Sequence, residues 1–151
     1  MKSRRRVNST VGPLPIGRAR VRSADLIATT MVFDIIEELI RREPIFHRPE
    51  FGTTRADFED MMDVAFCEVG ASGRRYTREY VLDELEKRHA NAPEDAWQTR
   101  DFHCLEIAID NYLLTYTLIQ GARVTRRSTI WRRTPSGWKI VFHQGTIVEP
   151  G

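Results

Sequence analysis

Thr129-Ile130-Trp131-Arg132-Arg133-Thr134-Pro135-Ser136-Gly137-Trp138-Lys139-Ile140-Val141-Phe142-His143-Gln144-Gly145-Thr146 is the stretch whose reading decides the fold. Two runs rich in β-branched and aromatic residues flank Thr134-Pro135-Ser136-Gly137, with Pro and Gly placed where a tight turn accepts them. The stretch predicts a β-hairpin. Upstream, Phe102–Ile109 and Tyr112–Ile119 flank Asp110-Asn111, a two-residue turn of the kind that closes hairpins. After Gln120-Gly121, the runs Val124–Arg133 and Trp138–Val148 complete an antiparallel meander.

The first half of the chain is helical in pattern. Leu26, Ile27, Met31, Ile35 and Leu39 recur at three- and four-residue steps from Ser23 to Arg42, with Ser23 or Asp25 as the expected cap and Pro44 as the stop. Thr54-Arg55-Ala56-Asp57 reads as a capping box opening a short second helix. Val64–Val69 reads as a strand ending at Gly70-Ala71-Ser72-Gly73. Thr77 caps a third helix with Tyr80, Val81, Leu82 and Leu85 on its core face. Helices first and a strand meander after imply an α+β fold with the helices on one face of a bent sheet.

A chain of 151 residues predicts one domain with a core large enough to need no disulfide or metal. The net charge of +2 hides an asymmetry: seven of the 23 basic residues fall in the first 24 positions, where no acidic residue stands. Residues 1–22 therefore read as a flexible basic arm, and residues 23–151 as a single, mildly acidic domain. Cys67 and Cys104 form no Cys-x-x-Cys pair and fit a reducing compartment. No run approaches the length of a membrane span, and Ser3-Arg4-Arg5-Arg6 is not followed by the apolar segment of an export signal. The expected location is the cytoplasm.

Phe66-Cys67-Glu68-Val69-Gly70-Ala71-Ser72-Gly73-Arg74, the following Tyr76-Thr77-Arg78-Glu79 and the closing hairpin together resemble the nuclear-transport-factor-2-like superfamily. That superfamily includes ketosteroid isomerase and the SnoaL-like polyketide cyclases. The match is nearest to a branch grouped as a domain of unknown function, and it spans residues 24–148. The resemblance implies a cone: a curved antiparallel sheet wrapped around a long N-terminal helix, two further helices, and a pocket at the open end. It also implies a homodimer through the outer sheet face, which would explain why Tyr112, Leu114, Tyr116 and Leu118 alternate with Leu113, Thr115, Thr117 and Ile119 rather than with charges.

Glu68 is the first candidate for chemistry. It precedes a glycine turn, in a strand-to-turn segment similar to the one that carries the general base of ketosteroid isomerase. A carboxylate at an apolar mouth has its pKa raised by desolvation, which suits proton abstraction beside a carbonyl. The alternative is a rim carboxylate that pairs with Arg74 or Arg75 or accepts turn amides. The isomerase also uses a Tyr on its first helix and a protonated Asp, but Met31-Val32-Phe33-Asp34-Ile35 has no Tyr, which argues against steroid isomerisation. His103 and His143 are the partner candidates. His103 shares a strand face with Leu105, Ile107 and Ile109. Strict alternation puts His143 on the face of Lys139 and Val141, opposite Trp138, Ile140 and Phe142, and does not say which face points inward. Tyr112, Tyr116, Trp131 and Trp138 could line a ligand pocket or serve as core packing.

The four His residues lack metal-ligand spacing, and no nucleophile elbow or phosphate-cradling loop is present, so neither metal nor cofactor is expected. The function expected is binding of a small, largely apolar organic molecule in the cone. If the protein is an enzyme, the expected chemistry is cofactor-free proton transfer, cyclisation or hydration. The alternative is a non-catalytic dimerisation or protein-interaction module. Nucleic-acid binding through the basic arm ranks last, because the domain is net acidic and shows no reading motif.

Overall fold

The computed structural model describes residues 22–89 and 96–149. The basic arm expected over residues 1–22 lies outside them, apart from Arg22. The elements are α1 (Ser23–Arg41), a short 3-10 turn (Pro49–Phe51), α2 (Arg55–Met61), β1 (Met62–Val69), β2 (Arg75–Thr77), α3 (Arg78–His89), β3 (Gln98–Ala108), β4 (Asn111–Gln120), β5 (Arg123–Thr134) and β6 (Gly137–Ile147). The six strands form one open sheet in the order β2-β1-β6-β5-β4-β3. This is the expected α+β architecture, three helices and a sheet. The sheet is mixed, because β1 runs parallel to β6 while every other pair is antiparallel.

Local chemistry sets the elements. Thr134 pairs with Gly137 across Pro135-Ser136, closing the β5–β6 hairpin where the sequence places it. Thr54 accepts the Asp57 amide and Asp57 accepts the Thr54 amide, the reciprocal cap of α2. Thr77 Oγ1 accepts the Tyr80 amide at the start of α3. Two expectations shift. Arg22, with no side-chain capping bond, stands at the N-cap of α1 in place of Ser23 or Asp25. The β3–β4 turn is Ile109-Asp110, one residue earlier than expected, because Ala108 pairs with Asn111 and Asp110 takes the left-handed conformation at φ 57°.

The core fills the concave side of the sheet: Phe58 of α2, Leu82 and Leu85 of α3, and Phe66, Leu114, Trp131 and Ile140 of the strands. The α1 helix joins it only by its last turns. Leu39 is buried and Ile35 and Ile40 pack partly, whereas Leu26, Ile27 and Met31 are each more than half exposed.

Two irregularities decide which residues face inward. On β6, Ile140 pairs with Trp131 but Phe142 pairs with Ile130, so Val141 is an extra residue in the strand. Such a bulge reverses the alternation beyond it. Ile140, His143 and Gly145 are therefore all buried, although they are not evenly spaced by two. On β3 a second shift lies between Arg100 and His103, where Asp101 has φ 59°.

Candidate functional site

The inner face of the sheet carries two rows of side chains fixed by register. Tyr116, Arg127 and Gly145 are successive cross-strand partners on β4, β5 and β6. Leu114, Thr129, His143 and Glu68 form the next row, the last pair across the parallel β6–β1 contact. Above these rows opens a cavity of about 1330 Å³. Its floor is Glu68, Arg127, His143 and Gly145. Its walls come from the segment after α1 (Phe46, His47, Arg48), from α3 (Leu85, Arg88), and from Tyr76 and Trp97.

His143 is 2% exposed, and its pKa is pushed down to about 3 by burial and then by the charge of Arg127. It is neutral near physiological pH, and its partners fix the tautomer. Arg127 Nη1 lies 3.1 Å from Nε2 and can only donate, so Nε2 accepts. The proton then sits on Nδ1, which donates to Thr129 Oγ1 at 2.9 Å. The Thr129 hydroxyl passes the chain on to Glu43.

Glu43 is wholly buried in the segment after α1. Its carboxylate accepts Tyr116 Oη at 2.8 Å, Trp131 Nε1 at 3.1 Å and the Ile45 amide at 3.0 Å, besides Thr129. Burial raises its pKa, and the four donors oppose that rise. The same environment pushes the Tyr116 phenol well above its usual 10.0, by burial and by the charge of Glu43. A continuous chain thus runs from the cavity floor to the core: Arg127, His143, Thr129, Glu43.

Glu68 stands differently. Desolvation raises its pKa, against the attraction of Arg127 and Arg88. Its carboxylate makes no ion pair within 4.0 Å among the described residues. Arg74, one of the partners expected for a rim role, instead lies over the rings of Tyr76 and Tyr80. Burial lowers the pKa of Arg127, whose Nε donates to Thr125 Oγ1 at 3.0 Å. Both charges are thus shifted toward neutrality although each has the other nearby, so desolvation outweighs their attraction.

Glycine makes the room. A Cβ at Gly145 would lie 3.3 Å from Cζ of Arg127, and one at Gly70 would lie 2.7 Å from the Tyr76 ring. The guanidinium and the phenol occupy the space that side chains there would take.

The structure brings Glu68 and His143 together on the cavity floor. It sets His103 apart: the residue is exposed on the outer face with Leu105 and Ile107. Phe102 and Cys104 take the inward positions of β3, and Phe102 stacks on Tyr116 at 5.0 Å. Tyr112, Tyr116, Trp131 and Trp138 do not line the cavity; they pack beneath it, and two of them hold Glu43. Arg127 and Glu43 were not expected from sequence. The pairing of Arg127 with Gly145 is the only local sign of the first, and it needs the strand register to be read. No group of three or more metal-ligating side chains lies among the described residues.

No protein-family model matches the sequence, and no curated protein matches it. Solved structures do. A candidate dehydratase of the NTF2-like family from Streptomyces avermitilis shares 19% identity at a TM-score of 0.63, over 82% of this chain and 99% of that one. An uncharacterised protein with a cystatin-like fold from Caulobacter vibrioides shares 18% at 0.61, over 78% and 90%. A candidate ketosteroid isomerase from Parabacteroides distasonis shares 20% at 0.58, over 77% and 89%. The chain has the NTF2-like α+β fold. At these identities the likeness concerns the fold alone.

Proposed function

We propose that the cavity binds a small organic molecule and that Glu68 removes a proton from a carbon beside its carbonyl group. One observation carries the reading: Glu68 is a desolvated carboxylate, without an ion pair among the described residues, on the floor of a large cavity. A cavity of this volume is ample for a small ligand, whose sites commonly span roughly 300–1,000 Å³. In the proposed step the C–H bond breaks, the proton moves to a Glu68 oxygen, and the electron pair shifts to the carbonyl oxygen. Arg127 supplies an N–H donor that stabilises the resulting enolate. His143 is a positioning residue here. Its Nε2 is an acceptor already engaged by Arg127, and protonation near neutral pH is excluded by its depressed pKa. Return of the proton to another carbon, ring closure, or loss of water would complete an isomerisation, cyclisation or dehydration, with the last step set by the ligand.

The test is deuterium exchange. Small ketones and keto acids are incubated with the protein in heavy water, and loss of the proton signal beside the carbonyl is followed by NMR. Glu68→Gln, checked for folding by circular dichroism, should abolish any catalysed exchange. Undiminished exchange in that variant would remove Glu68 from the role.

A separate observation favours a second reading, an interaction or dimerisation module. Leu105 and Ile107 expose an apolar stripe on the outer face of β3, continued by Ile109 in the turn that follows. A dimer through that face predicts that Ile107→Glu lowers the mass seen by sedimentation to that of one chain; an unchanged mass would exclude the face. None of the helices described is long and apolar enough to cross a membrane. Both cysteines are free thiols, and residence in the reducing cytoplasm is part of the proposal.

A further inference from the structure

Among the described residues the cavity lining carries more arginines than carboxylates. Arg48, Arg88, Arg123 and Arg127 all line it. None of the four forms an ion pair with a carboxylate within 4.0 Å among the described residues. Elsewhere arginines find acids readily: Arg42 meets Glu38, Arg55 meets four carboxylates, Arg132 meets Asp63 and Arg133 meets Asp110. Among the described residues the carboxylates on the cavity lining are Glu50, Glu68 and Glu84, one fewer than the arginines.

Arg127 is the sharpest case. A guanidinium has five N–H donors. Two are spent, on His143 and on Thr125. Neither partner is charged, so a half-buried cation is left with three N–H groups and, among the described residues, no counter-ion in contact. That state is costly unless an anion completes it. The planar fork of arginine matches a carboxylate, which takes two parallel N–H bonds. A phosphate dianion would set two negative charges against Glu68 and against Glu43, whose charge already acts on Arg127, so a single carboxylate is the better match. Phe46, Tyr76, Leu85 and Trp97 supply apolar wall for the rest of such a molecule.

We infer that the ligand of this cavity is an organic acid whose carboxylate is received by Arg127, with Arg123 at the rim drawing it in. The inference rests on the cavity being a ligand site, and it narrows the class of molecule to acids with an apolar body.

Phenylacetate and phenylacetamide are the probes, differing in charge but hardly in shape. Calorimetric titration at low salt should show phenylacetate binding at least about tenfold more tightly than the amide, the difference expected of one charge-assisted pair. Arg127→Met should erase that preference. Because Arg127 belongs to a buried network, Arg123→Met at the exposed rim serves as the second variant, and it should weaken phenylacetate while leaving the amide unchanged. Glu68→Gln should tighten phenylacetate, since a neighbouring negative charge is removed. Four results overturn the inference: equal affinity for acid and amide, a preference that survives Arg127→Met, no binding of either probe at millimolar concentration, or displacement of phenylacetate by stoichiometric inorganic phosphate. Equal affinities with Glu68-dependent deuterium exchange intact would remove the inference and leave the catalytic proposal standing. A strong acid preference with exchange that survives Glu68→Gln would do the reverse.

Discussion

Acid should unfold this protein through His143, and the size of the effect follows from its burial. In the unfolded chain the imidazole titrates at 6.5, whereas in the folded protein its pKa is about 3. Between those values the unfolded chain binds a proton that the folded one refuses, so stability rises with pH across this window. The contribution is fully present above pH 6.5 and is lost as pH falls toward 3. Each pH unit is worth 1.36 kcal/mol, so the interval of roughly 3.5 units corresponds to about 5 kcal/mol at most. That is comparable with the whole stability of many domains. The groups around the ring are Arg127 on β5, Glu68 on β1, His47 in the segment after α1, and Glu43 through Thr129. Urea denaturation at a series of pH values, on the wild type and on His143→Gln, isolates the histidine. Glutamine keeps an acceptor for Arg127 and cannot titrate. The difference between the two proteins should change across the window with a slope approaching 1.4 kcal/mol per unit. Parallel curves would refute the reasoning and would mean that His143 is solvated or paired in the folded state.

Glu43→Ala removes the acceptor of four buried donors, each of which costs about 1–3 kcal/mol when left unpaired, so thermal and urea melts should show a severe loss of stability or no fold at all. A loss below about 1 kcal/mol would mean that water or another group takes its place. Gly145→Ala should leave the fold intact but push the Arg127 guanidinium aside, since the added methyl would sit 3.3 Å from it. Calorimetry should then show weaker phenylacetate binding with little change in melting temperature; unchanged binding would take Arg127 out of the site.

Local turn and cap chemistry was legible in the sequence because it acts over a few residues. Thr134-Pro135-Ser136-Gly137 closes its hairpin, and Thr54 and Thr77 cap their helices, as their side chains dictate. Glu68 could be nominated from its place just before the glycine turn, and its register with β6 is regular from Cys67 onward. The rest of the site depends on contacts between distant segments. Glu43 sits beside Arg42 and Pro44 like a solvated helix end. It is buried because Tyr116 and Trp131, 73 and 88 residues away, donate to it. The facing of His143 was undecidable because the extra residue at Val141 reverses the alternation, and only the register with β5 reveals it. His103 shares its face with three aliphatic residues, a pattern that reads as core, yet the face is the outer one of the edge strand β3. The periodic stripe of α1 was legible as a helix, but periodicity does not say that Leu26, Ile27 and Met31 find no cover within the described residues.

The proposed chemistry depends on Glu68 being a desolvated carboxylate in an open cavity. Its titration, followed by NMR of the side-chain carboxyl carbon, tests that most directly. The account predicts a midpoint above 4.5 in the wild type, rising further in Arg127→Met as the opposing charge is removed. A midpoint at or below 4.5, unmoved by that substitution, would show a solvated carboxylate or one held in a different ion pair, and would contradict it.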